Sequence, residues 1–193
     1  MTARTHDVAA ITALAFVAVL QPAQALALST ILAALLANQI GGIAPDIDQP
    51  TAPFWRNLPV GKLFGKVFDT LIGGHRFVSH SLVGLVLFGL LANVVLHFLR
   101  PILGHIDIQI VWWAFMIGIA SHLVMDTFTK EGVPWILPLP IKFGIPPLKR
   151  LRVTTGKWEE MFVILPMLVG IDLWLFVHYY EQLLTFLRAS VRS

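Results

Sequence analysis

His122 and Asp126 stand four residues apart in the run Ser121-His-Leu-Val-Met-Asp126. Four residues is one helical turn, so an imidazole and a carboxylate share a face there and can hold an ion or a proton between them. The same residue types recur at four other places. His6 lies near the start of the chain, and Pro45-Asp46-Ile47-Asp48 follows the flexible pair Gly41-Gly42. Gly73-Gly74-His75-Arg76-Phe77-Val78-Ser79-His80-Ser81 precedes an apolar run, and Thr154-Thr155-Gly156-Lys157-Trp158-Glu159-Glu160 precedes another. The chain has no cysteine, so any metal site draws on imidazole, carboxylate and water. That donor set suits a divalent ion such as Zn or Mn, one or two of them. The candidate ligands are His6, Asp46, Asp48, His80, His122 and Asp126. His75 and Glu159 are candidates for proton transfer. Arg76 carries the fork geometry that grips a phosphate or carboxylate. Simpler roles stand beside these: a turn cap for Asp46, a helix-start acid for Glu159, and helix caps or tautomer-fixing partners for Ser79 and Ser81.

These groups need elements to position them, and the composition says which. Of 193 residues, 56% are hydrophobic and only 13% charged, and the mean hydropathy is +0.76. A soluble domain carries roughly 25% charged residues. The expected fold is therefore all-α: a polytopic membrane helix bundle forming a single domain over residues 1–193. Apolar runs place five spans near residues 8–20, 23–44, 77–99, 106–128 and 161–180. A spanning helix needs roughly 17–25 residues, so the first run spans only if it begins near Thr5. A rival reading takes that run as a secretory signal, with Ala25-Leu26-Ala27 as its small-residue cleavage site. Asp7 in its basic region and the equally apolar run that follows favour a helical hairpin turned at Gln21-Pro22.

Lysine and arginine set the expected orientation. Arg4, Arg56, Lys62, Lys66, Arg76, Lys130, Lys142, Lys149, Arg150, Arg152 and Lys157 fall on one side, and only Arg100, Arg188 and Arg192 on the other. The positive-inside rule puts the first side in the cytoplasm, with the N-terminus in and the C-terminus out. His6, Asp46, Asp48, His75, His80, His122, Asp126 and Glu159 then all come to the cytoplasmic ends of the spans, whereas His97, His105 and His178 fall at the outer ends as packing or interfacial residues. Between the fourth and fifth spans, residues 133–147 are apolar but too rich in proline for a helix. With Lys149-Arg150-Leu151-Arg152 behind them, they suit the membrane interface, either as a surface loop or as a lip facing a substrate.

Three functions are compatible with such a cluster. A metal-dependent hydrolase acting on a membrane lipid, with a lipid-derived or phosphorylated substrate, would use ligands gathered at one face. A proton or ion conductor, or a transporter component, would need polar groups along the whole path, and the outer halves of the spans carry little beyond Asn93 and Asp172. A structural bundle would use the His–Asp pairs only for packing. No basic, aromatic-interleaved groove points to nucleic acid as a partner.

The motifs as a set resemble the YdjM-like family of LexA-regulated, membrane-bound predicted metal-dependent hydrolases. The resemblance covers most of the chain: Thr5-His6, Pro45-Asp46-Ile47-Asp48, His75-Arg76 with Ser79-His80-Ser81, Ser121-His122 with Asp126, Gly132-Val133-Pro134, and Gly156 with Glu159. Where the family motif reads His-Arg-Gly-x-Thr-His-Ser, Phe77 here replaces the glycine and Ser79 the threonine, keeping the hydroxyl. The resemblance implies a multi-pass protein of the bacterial inner (plasma) membrane, a hydrolase activity, and expression within the SOS response.

Overall fold

The computed structural model describes residues 1–21, 26–48, 78–139 and 141–192. His75 and Arg76 lie outside these residues. Among the described residues the regular structure is helical: α1 (Ala3–Leu20), α2 (Leu28–Ile43), α3 (Leu82–Leu99), α4 (Ile108–Thr127), α5 (Leu165–His178) and α6 (Tyr180–Arg192). A short 3-10 turn, Ala44–Asp48, extends α2, and a π turn, Glu160–Ile164, leads into α5. Five segments are long and apolar enough to cross a membrane: Ala3–Leu20, Leu28–Ile47, Leu82–Leu99, Ile108–Thr127 and Glu160–His178. The first begins five residues before the apolar run proper. His6 is therefore inside a spanning helix rather than ahead of it.

Helices α2 and α4 form the centre, and glycine decides how close they come. A Cβ on Gly118 would lie 2.2 Å from the Asn38 carbonyl oxygen, and one on Gly41 would lie 2.1 Å from that of Phe115. Small residues at such a crossing let backbones touch where no hydrophobic force from water drives helices together. Asn38, fully buried, donates from Nδ2 to the Ala114 carbonyl at 3.1 Å and ties the same crossing together. α1 lies across both helices and also meets α5, and α3 packs on α4. The Trp112 indole donates to the Gly89 carbonyl of α3 at 2.8 Å.

The apolar core is small. It centres on Ile119, Leu123 and Val133, with Leu85, Phe88, Phe115, Met116 and Trp135 against them. Large apolar side chains otherwise face outward: Leu90, Val94 and Phe98 on α3, and Leu173, Trp174 and Val177 on α5, are exposed. That inversion is expected of spans solvated by lipid, where exposure of leucine carries no cost. Helix α6 was not anticipated from the sequence. Its polar residues spread around Leu183, Leu184 and Phe186, so no long apolar run announces it. It packs back through Gln182, whose Nε2 donates to the Val19 carbonyl at 3.3 Å.

Candidate metal centre

At one end of the bundle, four chain segments deliver histidine or aspartate to a single buried point. The first turn of α1 supplies His6. The 3-10 turn after α2 supplies Asp46, because Gly41 and Gly42 bring that backbone against α4 and α1. The turn before α3 supplies His80. There Ser81 caps the helix, accepting from the Gly84 N–H at 3.0 Å and donating to the Val78 carbonyl at 2.7 Å. A Cβ on Gly84 would come within 2.1 Å of the Val78 carbonyl oxygen, so only glycine lets this turn fold down onto α3. The last turns of α4 supply His122 and Asp126.

The distances are those of a coordination sphere. His122 Nε2 lies 3.3 Å from His80 Nε2, 3.7 Å from Asp46 Oδ1 and 3.9 Å from Asp126 Oδ2. His80 Nε2 is 3.6 Å from both Asp46 Oδ1 and Asp126 Oδ2, and His6 Nε2 is 3.3 Å from Asp126 Oδ1. Donor atoms bound at roughly 2.0–2.2 Å around a tetrahedral ion sit about 3.3–3.6 Å apart. His6, His122 and Asp126 form one triad of ligand-capable atoms within 4.8 Å of one another, and Asp46, His80 and His122 form a second. All but Asp46 are essentially inaccessible.

The imidazoles are also aimed. His122 Nδ1 meets the Gly42 carbonyl oxygen at 2.6 Å. A carbonyl only accepts, so Nδ1 carries the proton and Nε2 turns its lone pair to the other donors. His80 Nδ1 pairs with the Ser79 hydroxyl at 2.9 Å. His6 stacks on His122 with ring centroids 3.7 Å apart, yet neither of its ring nitrogens makes a hydrogen bond among the described residues. A fully buried imidazole left so is costly, and a bound cation relieves that cost. The residues present therefore fit a divalent ion. The Met1 amino group also contacts Asp126 Oδ1.

Of the residues singled out by sequence, His6, Asp46, His80, His122 and Asp126 come together. Asp48 closes the 3-10 turn, but its side chain, like His75 and Arg76, lies outside what is described. Glu159 is half-buried and makes no hydrogen bond or ion pair with these five among the described residues. Its neighbour Glu160 is the engaged acid. Only 2% exposed, it accepts from the Thr2 N–H at 2.6 Å, the Thr2 hydroxyl at 2.7 Å and the Thr5 hydroxyl at 2.6 Å through Oε1. Its Oε2 accepts from the Gly156 N–H at 2.7 Å. The sequence offered two adjacent acids, and the register of the helix start separates them. His97, His105 and His178 take no part in the cluster.

The proline-rich segment folds against this end. Val133 and Phe143 exchange backbone hydrogen bonds at 2.8 and 2.9 Å, and the Leu82 N–H that opens α3 donates to the Trp135 carbonyl at 3.1 Å. The Trp135 indole donates to the Thr127 hydroxyl at 3.1 Å. An apolar cavity of about 320 Å³ opens between Thr127, Trp135, Ile136, Phe143, Gly144 and Ile145, one residue along the chain from Asp126.

Comparison with known proteins bears on the family and the membrane setting. No solved structure matches the chain. It is 27% identical over 126 residues to the uncharacterized protein YvsG of Bacillus subtilis (strain 168), an overlap covering 65% of this chain and 67% of that protein. A family profile described as YdjM inner membrane protein matches residues 1–183. With five helices able to span a membrane and a buried His/Asp cluster at one end of them, this chain belongs to the YdjM inner membrane protein family.

Proposed function

We propose that the chain is a membrane-embedded hydrolase that uses one divalent ion, Zn or Mn, to cut a phosphoester of a lipid at the cytoplasmic face of the inner membrane. The convergence of His6, Asp46, His80, His122 and Asp126 at ligand spacing carries this reading. Both triads draw on His122, whose Nδ1 is committed to Gly42. They share Nε2, and so describe one ion rather than two. Held by these residues, such an ion would lower the pKa of a water toward ~7 and would polarise a phosphoryl oxygen.

The protein's own groups supply the rest. Asp46 and Asp126 bring the negative charge that makes the cage selective for a dication over neutral occupants. Asp46 is the most accessible of the five, its side chain 24% exposed, and marks the side from which substrate enters. Arg76 is assigned to the substrate's anionic group, and His75 and Glu159 to proton transfer, by their places in the sequence. A lipid substrate is supported by the apolar cavity beside Thr127. Exposed Ile136, Leu139, Ile141 and Phe143, with Lys142, Lys149 and Arg150 nearby in the chain, suit an anionic lipid surface.

Elemental analysis of the detergent-purified protein tests the ion. About one equivalent of transition metal is expected, lost in a His122→Ala/Asp126→Ala variant that remains folded. Absence of metal from the parent, even after reloading with Zn²⁺ or Mn²⁺, would overturn the proposal. A screen of lipid phosphomonoesters and phosphodiesters then tests the substrate class. A conducting function has one observation in its favour: Asp172, mid-span on α5, keeps a buried Oδ1 with no hydrogen bond among the described residues. Proton flux in liposomes that is abolished by Asp172→Asn would favour that alternative.

A further inference from the structure

We infer that Glu160 is a positioning residue that holds His6 in the cage through the first turn of α1. This rests on the reading of the cage as a metal site, but its geometry stands apart from any ion. The start of a helix leaves its first N–H groups without partners, and Thr2, at the capping position before α1, makes no side-chain cap of its own. The cap comes instead from a different helix. Glu160 Oε1 takes the Thr2 N–H, the Thr2 hydroxyl and the Thr5 hydroxyl, all within 2.6–2.7 Å. A carboxylate at this end of α1 is also favoured by the helix dipole.

His6 follows Thr5 directly, and both are 1% exposed. Neither His6 nitrogen has a hydrogen bond among the described residues to hold the ring. Its ring stacks on His122 and its Nε2 lies 3.3 Å from Asp126 Oδ1, while its backbone is set by the helix turn that Glu160 pins. Glu160 is pinned in return. Its Oε2 takes the N–H of Gly156, which stands at φ +73° where a side chain is strained, and the residue opens a π turn. Such turns commonly mark functional positions. One buried carboxylate thus couples the loop before α5 to the ligand on α1. His80 and His122 are anchored elsewhere, on Ser79 and Gly42, so of the three histidines only His6 adjoins a residue that Glu160 clasps.

Histidine carbethoxylation, read residue by residue by mass spectrometry on the metal-free, detergent-solubilised full chain, tests this without reference to metal or turnover. Glu160→Ala is expected to raise modification of His6 by about tenfold while His80 and His122 stay protected. Thr5→Val, which removes one of the clasping donors and keeps the shape, should raise it in the same direction and serves if Glu160→Ala does not fold. Unchanged protection of His6 overturns the inference. Equal unmasking of all three histidines overturns it too, because Glu160 would then be supporting the bundle and not His6. Metal affinity by chelator competition adds an independent reading: Glu160→Ala should cost nothing further in a His6→Ala background, and additive losses would overturn the coupling. A parent protein that binds no metal fails the metal reading alone and leaves the labelling result to decide this one.

Discussion

His122 is the residue on which the centre turns, because both of its nitrogens are spoken for. One faces the Gly42 carbonyl and the other faces His80, Asp46 and Asp126. His80 differs in one respect: its outward nitrogen rests on a side chain, Ser79, that can be removed. Partners of this kind fix tautomer and ring orientation, and their loss typically costs 10–100-fold in metal affinity. Ser79→Ala is therefore expected to weaken metal binding by about 10–100-fold in a chelator titration while the thermal midpoint changes little. Asp126→Ala should abolish high-affinity binding altogether. Affinity unchanged in Ser79→Ala would mean that His80 is not a ligand. The sequence marked His6, Asp46, His80, His122 and Asp126 because ionisable residues in apolar spans are rare enough to stand out. It singled out Glu159 and passed over Glu160, where one residue of register separates a half-buried acid from a clasped one. Nor could it show the Gly42 carbonyl, since backbone acceptors leave no trace in residue type.

At the scale of elements, glycine sets the geometry that the ligands inherit. The α2–α4 crossing leaves no room at Gly118, whose added Cβ would lie 2.2 Å from the Asn38 oxygen and 2.8 Å from the Gly42 nitrogen. Overpacking of this kind costs typically ~1–3 kcal/mol. It would also move Gly42 away from His122. Gly118→Ala is expected to lower the thermal midpoint and to weaken metal binding together, and Gly104→Ala, with open space around it, should do neither. Gly84→Ala should act differently. Its clash is with the Val78 carbonyl beneath the Ser79–Ser81 turn, so it displaces His80 while leaving the central crossing intact, and a loss of metal affinity larger than the loss of stability is expected. The spans themselves were legible because long apolar runs are the strongest signal in any sequence. The start of α1 was less so, since Thr5, His6 and Asp7 look like a polar flank until Glu160 caps them. Helix α6 escaped because its pattern is amphipathic, and a search for unbroken apolar runs passes over it. The tertiary fold of the proline-rich segment, with Trp135 bonded to the start of α3, rests on contacts between residues about 50 apart, which no local pattern reveals.

For the whole molecule, the charge distribution makes a claim independent of the site. Read from the sequence alone, eleven of the fourteen lysines and arginines are expected on the side that bears the His/Asp cage, and Arg100, Arg188 and Arg192 on the other. The bias in short loops sets orientation during insertion, so the cage end should face the cytoplasm. Absence of cysteine makes the test clean, since any single thiol introduced reports only its own position. Gly104 and Thr155 are exposed, at opposite ends of the bundle. In spheroplasts, a membrane-impermeant maleimide is expected to label Gly104→Cys at once and Thr155→Cys only after permeabilisation. The reverse pattern would turn the cage outward, and the substrate would then have to be a lipid of the outer leaflet. Labelling of both in intact spheroplasts would mean dual insertion, and the asymmetry of lysine and arginine would have to be judged too weak to orient this chain. Moving the bias tests its cause: replacing Lys149, Arg150 and Arg152 with glutamine should raise labelling at Thr155→Cys in intact spheroplasts. A topology that ignores that change would show that the packing of α2 against α4, and not charge, orients the bundle.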